Sequence, residues 1–289
     1  MSSAPASDDV PGFVASVVVP AHDEERGIAR SLGALLDGSG PFDVVVVCNG
    51  CTDRTADVAR GFGPPVRVIE IEEASKSAAV RAGNAATDVF PRVHVDADVA
   101  LSGADVARLL DALRQPGVLA VAPRRVVPRD GCSLVVRWYY DVWEQLPQVA
   151  SGLFGRGAFA LSRDAQERVS ALPVVMSDDL AASDAFTDEE RRVVDDATVT
   201  VWPPRTTADL LRRRVRVATG NAQARDAGVR REDSATSLST LIDMARGRPS
   251  LLPRIGVFLA VTVLARLRAR RLIRSGDFTT WQRDESSRA

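Results

Sequence analysis

Val14-Ala-Ser-Val-Val-Val-Pro-Ala-His-Asp-Glu-Glu25 is the stretch that sets the fold class. Six small and apolar residues run up to Pro20, and the chain then turns polar at His22-Asp-Glu-Glu25. A short valine-rich run with no alternation fits a strand buried on both faces, as in a parallel sheet. Related runs follow. Val44–Val47 is four valines and ends in Cys48-Asn-Gly-Cys-Thr-Asp53, Val66–Ile71 alternates, and Val93–Val95 leads into Asp96-Ala-Asp98. Helical stripes separate them: Ile28, Leu32, Leu35 and Leu36, then Ala56, Ala59 and Phe62 behind Asp53 as N-cap. Ser75 opens a third helix, and Ser102 a fourth with Val106, Leu109, Leu110 and Leu113. Repeated βα units predict an α/β fold: a doubly wound, mostly parallel sheet flanked by helices. Its ligands should bind at the carboxyl ends of the strands.

The second half is less regular. Residues 133–149 read as one helix rich in aromatics (Trp138, Tyr139, Tyr140, Trp143). Gly152–Gly157 leads to a strand at Ala158–Leu161, a further strand covers Val199–Trp202, and an arginine-rich helix starts at Thr206. Within 251–274, Ile255–Ala265 carries no charge and is flanked by arginines. That charge-free run is too short to span a bilayer. It reads either as a core-packing helix with a basic end or as a helix lying in the membrane interface. The expected organisation is a flexible tail over 1–11, one α/β domain over 12–220, and a helical, Arg-rich extension over 221–289.

With 289 residues, 45% hydrophobic and 26% charged, the chain can bury a large core, which excludes wholesale disorder. Three cysteines exclude a small disulfide scaffold, and their odd number fits a reducing compartment. The net charge of −1 hides an asymmetry: residues 203–289 hold 18 arginines against 8 acids. An acidic body with a basic end does not suggest a nucleic-acid partner, whose basic face would dominate the domain. It suggests an anionic partner, a diphosphate or a phospholipid headgroup. The first residues lack the charged and apolar regions of a signal peptide. The expectation is a cytoplasmic protein, with peripheral membrane contact through 251–274 as the sharper reading of that segment.

Asp96 and Asp98 carry the strongest local chemical signal. Two carboxylates at i and i+2 after a buried strand can converge on Mg²⁺ or Mn²⁺, which prefer oxygen ligands and often share them with phosphate. A solvated acidic turn is the plainer alternative. Polar groups after the other strands support the first reading, as does Lys76, the chain's single lysine, at a helix start. Cys48 and Cys51 could form a redox pair, but no adjoining pattern supports that.

Taken together, Val17-Val-Val-Pro-Ala-His-Asp-Glu-Glu25, Val47-Cys-Asn-Gly-Cys-Thr-Asp53, Ser75-Lys-Ser-Ala-Ala79 and His94-Val-Asp-Ala-Asp98 resemble the ordered motifs of family 2 glycosyltransferases, which have the GT-A fold. The resemblance continues through Gly157-Ala-Phe-Ala-Leu-Ser162, Ser177-Asp-Asp-Leu180 and Arg213–Arg216, covering roughly 13–221. It implies a nucleotide-diphospho-sugar donor, a Mg²⁺ or Mn²⁺ cofactor, and an acceptor that is a sugar, lipid or small alcohol. By the same resemblance Pro20, His22 and Glu24 line the nucleotide pocket and Lys76 lies near the nucleotide. Asp96 approaches ribose or metal, and Asp98 binds the cation. Asp178 and Asp179 form the acidic pair whose second member is the base, and Arg213 and Arg216 help hold the diphosphate. Asn49 stands where the family usually has an aspartate that holds the nucleoside, and Cys48 also replaces an acid.

Physical logic runs parallel. Breaking a sugar–diphosphate bond builds charge on the leaving group, which cations stabilise most in the transition state. An alcohol acceptor needs a carboxylate to take its proton. In-line attack would invert the anomeric centre. Rival readings fit less well. A haloacid-dehalogenase-type phosphatase needs a downstream lysine that is missing here. A nicotinamide dehydrogenase needs GxGxxG after a strand. A nucleotidyltransferase acting on a sugar phosphate would show a Gly- and basic-rich loop after the first strand, where His22-Asp-Glu-Glu25 is acidic. A catalytically inactive nucleotide-sugar-binding relative stays open through Cys48-Asn49.

Overall fold

A computed structural model describes residues 12–37, 40–173, 178–226, 228 and 237–275; the side chains of 178 and 275 are outside the description. The expected tail at 1–11 lies outside the described residues. The chain forms two interleaved compact units. One comprises Met1–Pro123, Gly157–Glu167 and Val194–Val199, and the other Arg124–Arg156, Arg168–Val193 and Thr200–Ala289.

The first unit holds the βα repeats. β1 (Ala15–Ala21), β2 (Phe42–Asn49), β3 (Val66–Ile71) and β4 (Arg92–Val95) stand in the order β3-β2-β1-β4, and all three neighbouring pairs are parallel. β1, β2 and β4 are buried at every residue, which is why their sequences do not alternate. β7 (Ala158–Leu161) adds antiparallel to β4, His94 facing Phe159 across the pair. The eight-stranded order ends -β7-β6-β8-β5, with β5 at Val99–Leu101, β6 at Ala120–Val126 and β8 at Arg191–Val201. The sheet is therefore mixed, with a parallel half carrying the repeats.

Helices α1 (Ile28–Leu36), α2 (Thr55–Arg60), α3 (Lys76–Ala85) and α4 (Gly103–Leu113) fall where the apolar stripes placed them, except that α2 ends at Arg60, before Phe62. Ser75 and Ser102 cap α3 and α4, accepting from the amides of Ala78 and Asp105. Asp53 is not the N-cap of α2, a position taken by Arg54; its carboxylate instead accepts from Thr55 N at 2.9 Å.

The second unit is mainly helical. The expected single helix over 133–149 is two: α5 (Leu134–Trp143) and α6 (Pro147–Ser151). Pro147 sits in the first turn of α6, where its missing N–H costs nothing, so it starts a helix rather than riding inside one. α7 spans Arg163–Ser170 and α8 Asp178–Asp184. α9 (Thr207–Asp226) runs through position 220, where the sequence suggested a boundary. α10 (Leu238–Gly247) and a short 3₁₀ turn precede α11 (Leu252–Ser275). Tyr139, Leu146, Leu210, Leu251 and Phe258 share one core, and Tyr139 stacks on Phe258 at 5.1 Å. The aromatics of α5 are thus largely core.

Candidate active site

Parallel pairing brings the carboxyl ends of β1, β2 and β4 to one edge of the sheet, with Ala21 opposite Cys48 and Asn49 opposite Ile71. The loops that follow β1 and β2 are tied to each other. Asp23, held at φ +48, accepts from Thr52 N at 2.6 Å. Glu24 N donates to Thr55 Oγ1 at 2.7 Å, and Glu25 N to Asp53 Oδ2 at 3.1 Å. Asn49 is buried, and its Nδ2 donates to Ala21 O at 2.8 Å. His22 Nδ1 contacts Asn49 O. Where the resemblance assigns Asn49 to the nucleoside, the side chain knits the ends of β1 and β2. Pro20 is buried within β1, opposite Val47.

The Asp96-Ala97-Asp98 turn lies between β4 and β5. Asp96 N donates to Gly157 O at 2.7 Å and Val99 N to Asp96 O at 3.3 Å, fixing the backbone from two sides. Gly157 sits at φ +66, and a Cβ there would lie 2.5 Å from Val99 Cγ1 and 3.4 Å from Asp96 Oδ2. Only glycine allows this approach without strain. Both carboxylates stay partly exposed while Ala97 between them is buried. Lys76 Nζ sits 2.9 Å from Asp96 Oδ1.

α1 starts beside this turn: a Cβ on Gly27 would be 3.4 Å from both Ala97 O and Glu24 Oε2. Burial lowers the pKa of Arg30, one turn along, while Asp98 and Glu24 pull it partly back up. Glu24, Lys76, Asp96 and Asp98 therefore gather at one strand edge, with His22 and Asn49 in the loops beside them. Arg30 is an addition the sequence reading missed, because nothing marks it among the chain's many arginines. His94 is a core residue, stacked on Phe159 at 4.9 Å with Nε2 2.8 Å from Gln166 Oε1.

The remaining candidates belong to the second unit. Asp178 opens α8, and its side chain lies outside the described residues. Asp179 is half-buried; its Oδ2 accepts from Gly155 N at 2.7 Å and its Oδ1 from Leu180 N at 2.8 Å. It therefore does part of what a helix-start acid does. Arg125 lies near it, buried, stacked 4.5 Å over Trp143 and donating to Gly155 O at 3.1 Å and to Val149 O. Burial brings the Arg125 guanidinium down to about 10, against the pull of Glu144, Tyr140 and Asp179. Arg213 and Arg216 lie three apart on α9, on one face, and Arg213 donates to Trp202 O at 3.2 Å.

Residues 16–149 match the family model described as Glycosyl transferase family 2. This stretch, just under half of the chain, is similar to family 2 glycosyltransferases. Over 123 residues the chain is 31% identical to a 4,4'-diaponeurosporenoate glycosyltransferase of Staphylococcus aureus, a stretch covering 39% of this chain and 32% of that one. A dolichyl-phosphate beta-glucosyltransferase of Drosophila melanogaster is 33% identical over 126 residues, 38% of this chain and 39% of the relative. The match thus spans about a third of the length of these curated relatives. Among solved structures, a mannosyltransferase of Pyrobaculum calidifontis, in complex with GDP-Man and Mn²⁺, superposes with TM-score 0.60 at 20% identity, over 94% of this chain and 81% of that one. Glucosyl-3-phosphoglycerate synthase of Mycobacterium tuberculosis, in complex with Mn²⁺, UDP-glucose and phosphoglyceric acid, gives 0.53 at 20% identity, over 76% and 82%. These likenesses establish the GT-A fold.

Proposed function

We propose that the protein is a metal-dependent glycosyltransferase that moves a sugar from a nucleotide-diphospho-sugar to an acceptor hydroxyl with inversion. The observation that carries this is the Asp96–Asp98 turn with Lys76 on Asp96. The site suits a divalent cation: its donors are hard carboxylate oxygens, they are partly exposed, and Asp96 Oδ1 already holds a positive group, the Lys76 ammonium. Asp96 and Asp98 would hold Mg²⁺ or Mn²⁺. When bound, such an ion offsets negative charge on a departing diphosphate. Relatives and solved neighbours that carry glycosyltransferase names, some crystallised with Mn²⁺ and a nucleotide sugar, support the reading.

Lys76 supplies a second positive group for the diphosphate. Its ammonium can leave Asp96 for a phosphate oxygen at little cost, because an ion pair more than a third exposed is worth only about 0–1 kcal/mol. His22 and Glu24 line the nucleotide side, held by the latch between the first two loops. In the transfer, the bond between the anomeric carbon and the diphosphate oxygen breaks, and its electron pair leaves with the nucleoside diphosphate. The acceptor oxygen forms the new bond and gives its proton to the Asp179 carboxylate. Asp178, Arg213 and Arg216 keep the supporting roles that the family pattern suggests. The acceptor is a lipid-linked or small-molecule alcohol, and the reaction belongs to the cytosolic side.

A thermal-shift panel of UDP-, GDP- and dTDP-sugars with and without Mn²⁺ tests the proposal, since a ligand that binds the folded state raises its apparent stability. One nucleotide class should stabilise the protein, and only with the metal. No shift with any of them, followed by no sugar transfer or donor hydrolysis, refutes it.

A further inference from the structure

α11 has two unlike faces. Ile255, Phe258, Val261, Ala265 and Ala269 recur at helical spacing and are buried. They pack within the second unit against α5 and α9, with Phe258 stacked on Tyr139 and Ala265 and Ala269 clustered with Val215. On the other side, Leu252, Val263, Leu264 and Leu267 are each about half exposed, and Gly256 and Ala260 between them are exposed too. With 100° per residue, these six centre nearly opposite the buried stripe. A soluble helix would place charge on that side.

Apart from Arg254, which lies 3.4 Å from Asp141 near the start of the helix, charge is instead gathered at the C-terminal end. Arg266, Arg268, Arg270, Arg271 and Arg274 fill the last turns, all exposed, and α11 contains no Asp or Glu. We propose that the outward face of α11 lies in the interface of an anionic lipid bilayer, with its leucines among the acyl chains and its C-terminal arginines on the headgroups. Length and composition alone would let the helix Pro249–Arg274 cross a membrane, more than the charge-free run suggested. Its buried stripe decides against crossing: insertion across the bilayer would strip Phe258 from Tyr139 and expose the core of the second unit. An in-plane helix keeps that core and wets only one side. Phospholipid is favoured over a protein partner because an uncharged stripe ending in acid-free arginines matches the layering of acyl chain and anionic headgroup. The inference rests on α11 alone and not on the proposed activity.

Flotation of the full chain with phosphatidylcholine vesicles, with and without phosphatidylglycerol, tests it. Binding should require phosphatidylglycerol and weaken as salt rises. Leu264→Glu with Leu267→Glu should abolish it, and Arg270→Gln with Arg271→Gln should weaken it about thirtyfold. Both pairs are surface changes, and unaltered circular dichroism would show that they fold. Asp98→Asn should float like the parent, which separates this test from the transferase reading. No flotation, or equal flotation on neutral vesicles, overturns the proposal. So does a lipid-free dimer by sedimentation that Leu264→Glu dissociates, because a second copy would then own the face.

Discussion

Lys76 Nζ lies 2.9 Å from Asp96 Oδ1, so the chain's single lysine and the first acid of its Asp-Ala-Asp turn form an ion pair at the carboxyl edge of the parallel strands. Both side chains are more than a third exposed. Solvent screening makes such a pair a weak source of stability. Its placement matters for binding instead: Lys76 opens α3, whose first-turn amides and positive end favour an anion beside it.

Lys76→Met should therefore leave the melting temperature within a few degrees of the parent, in line with the ~1 kcal/mol ceiling for exposed pairs. Nucleoside-diphosphate affinity should fall roughly tenfold, the order expected for losing one charge-assisted contact of about 1.5 kcal/mol. Calorimetric titration with parallel melting curves checks both. A large stability loss with unchanged affinity would make the pair structural.

Gly157→Ala tests how the acidic turn is held. The new methyl would sit 2.5 Å from Val99 Cγ1, at φ +66. Valine is stiff at χ1 and cannot swing aside, so overpacking and left-handed strain should destabilise by about 2–4 kcal/mol. Metal-dependent donor binding should weaken as well, because Gly157 O anchors Asp96 N. Chemical denaturation gives the first quantity and calorimetry the second.

Asp179→Asn separates the proton acceptor from the helix-start acid. An amide keeps one of the two carboxylate oxygens that now accept from Gly155 N and Leu180 N. The structural cost should be about 1–2 kcal/mol. If Asp179 is the base, turnover should drop on the order of 10²–10⁴-fold with donor affinity nearly unchanged. Unchanged turnover would leave it only its structural role.

Alkaline pH should loosen the first unit through Cys48. Burial pushes this thiol up to about 12 from its usual value near 9.0. Its folded value exceeds the unfolded one, so the stabilisation is whole below about pH 9 and is lost as pH rises toward 12. The parent's melting temperature should fall over that window more steeply than that of Cys48→Ala, with thiolate absorbance appearing late. Equal slopes would show that the thiol is not so sheltered.

The parallel half of the fold was legible because burial on both faces leaves its mark in composition: Val44–Val47 needs no partner to be recognised. Ser75 and Ser102 were legible as caps because capping is local. The break at Pro147 is visible in the residue, but the aromatic run before it, Trp138–Trp143, reads as one continuous helix. β8 was read as Val199–Trp202 although it starts at Arg191, since Asp195 and Asp196 are exposed and interrupt the apolar pattern. At the site, the acids and the lysine stood out by type and position. Arg30 and the inward use of Asn49 did not, because each depends on residues distant in sequence: Asp98 for one and Ala21 for the other.

The most direct test of the central claim is isothermal titration of the Mn²⁺–nucleotide-sugar pair into the parent and into Asp98→Asn. The account predicts binding to the parent that disappears with chelator and falls by at least about a hundredfold in the variant, as expected when a ligand to the ion is removed. Equal affinity in the two proteins, or binding indifferent to the metal, would contradict it.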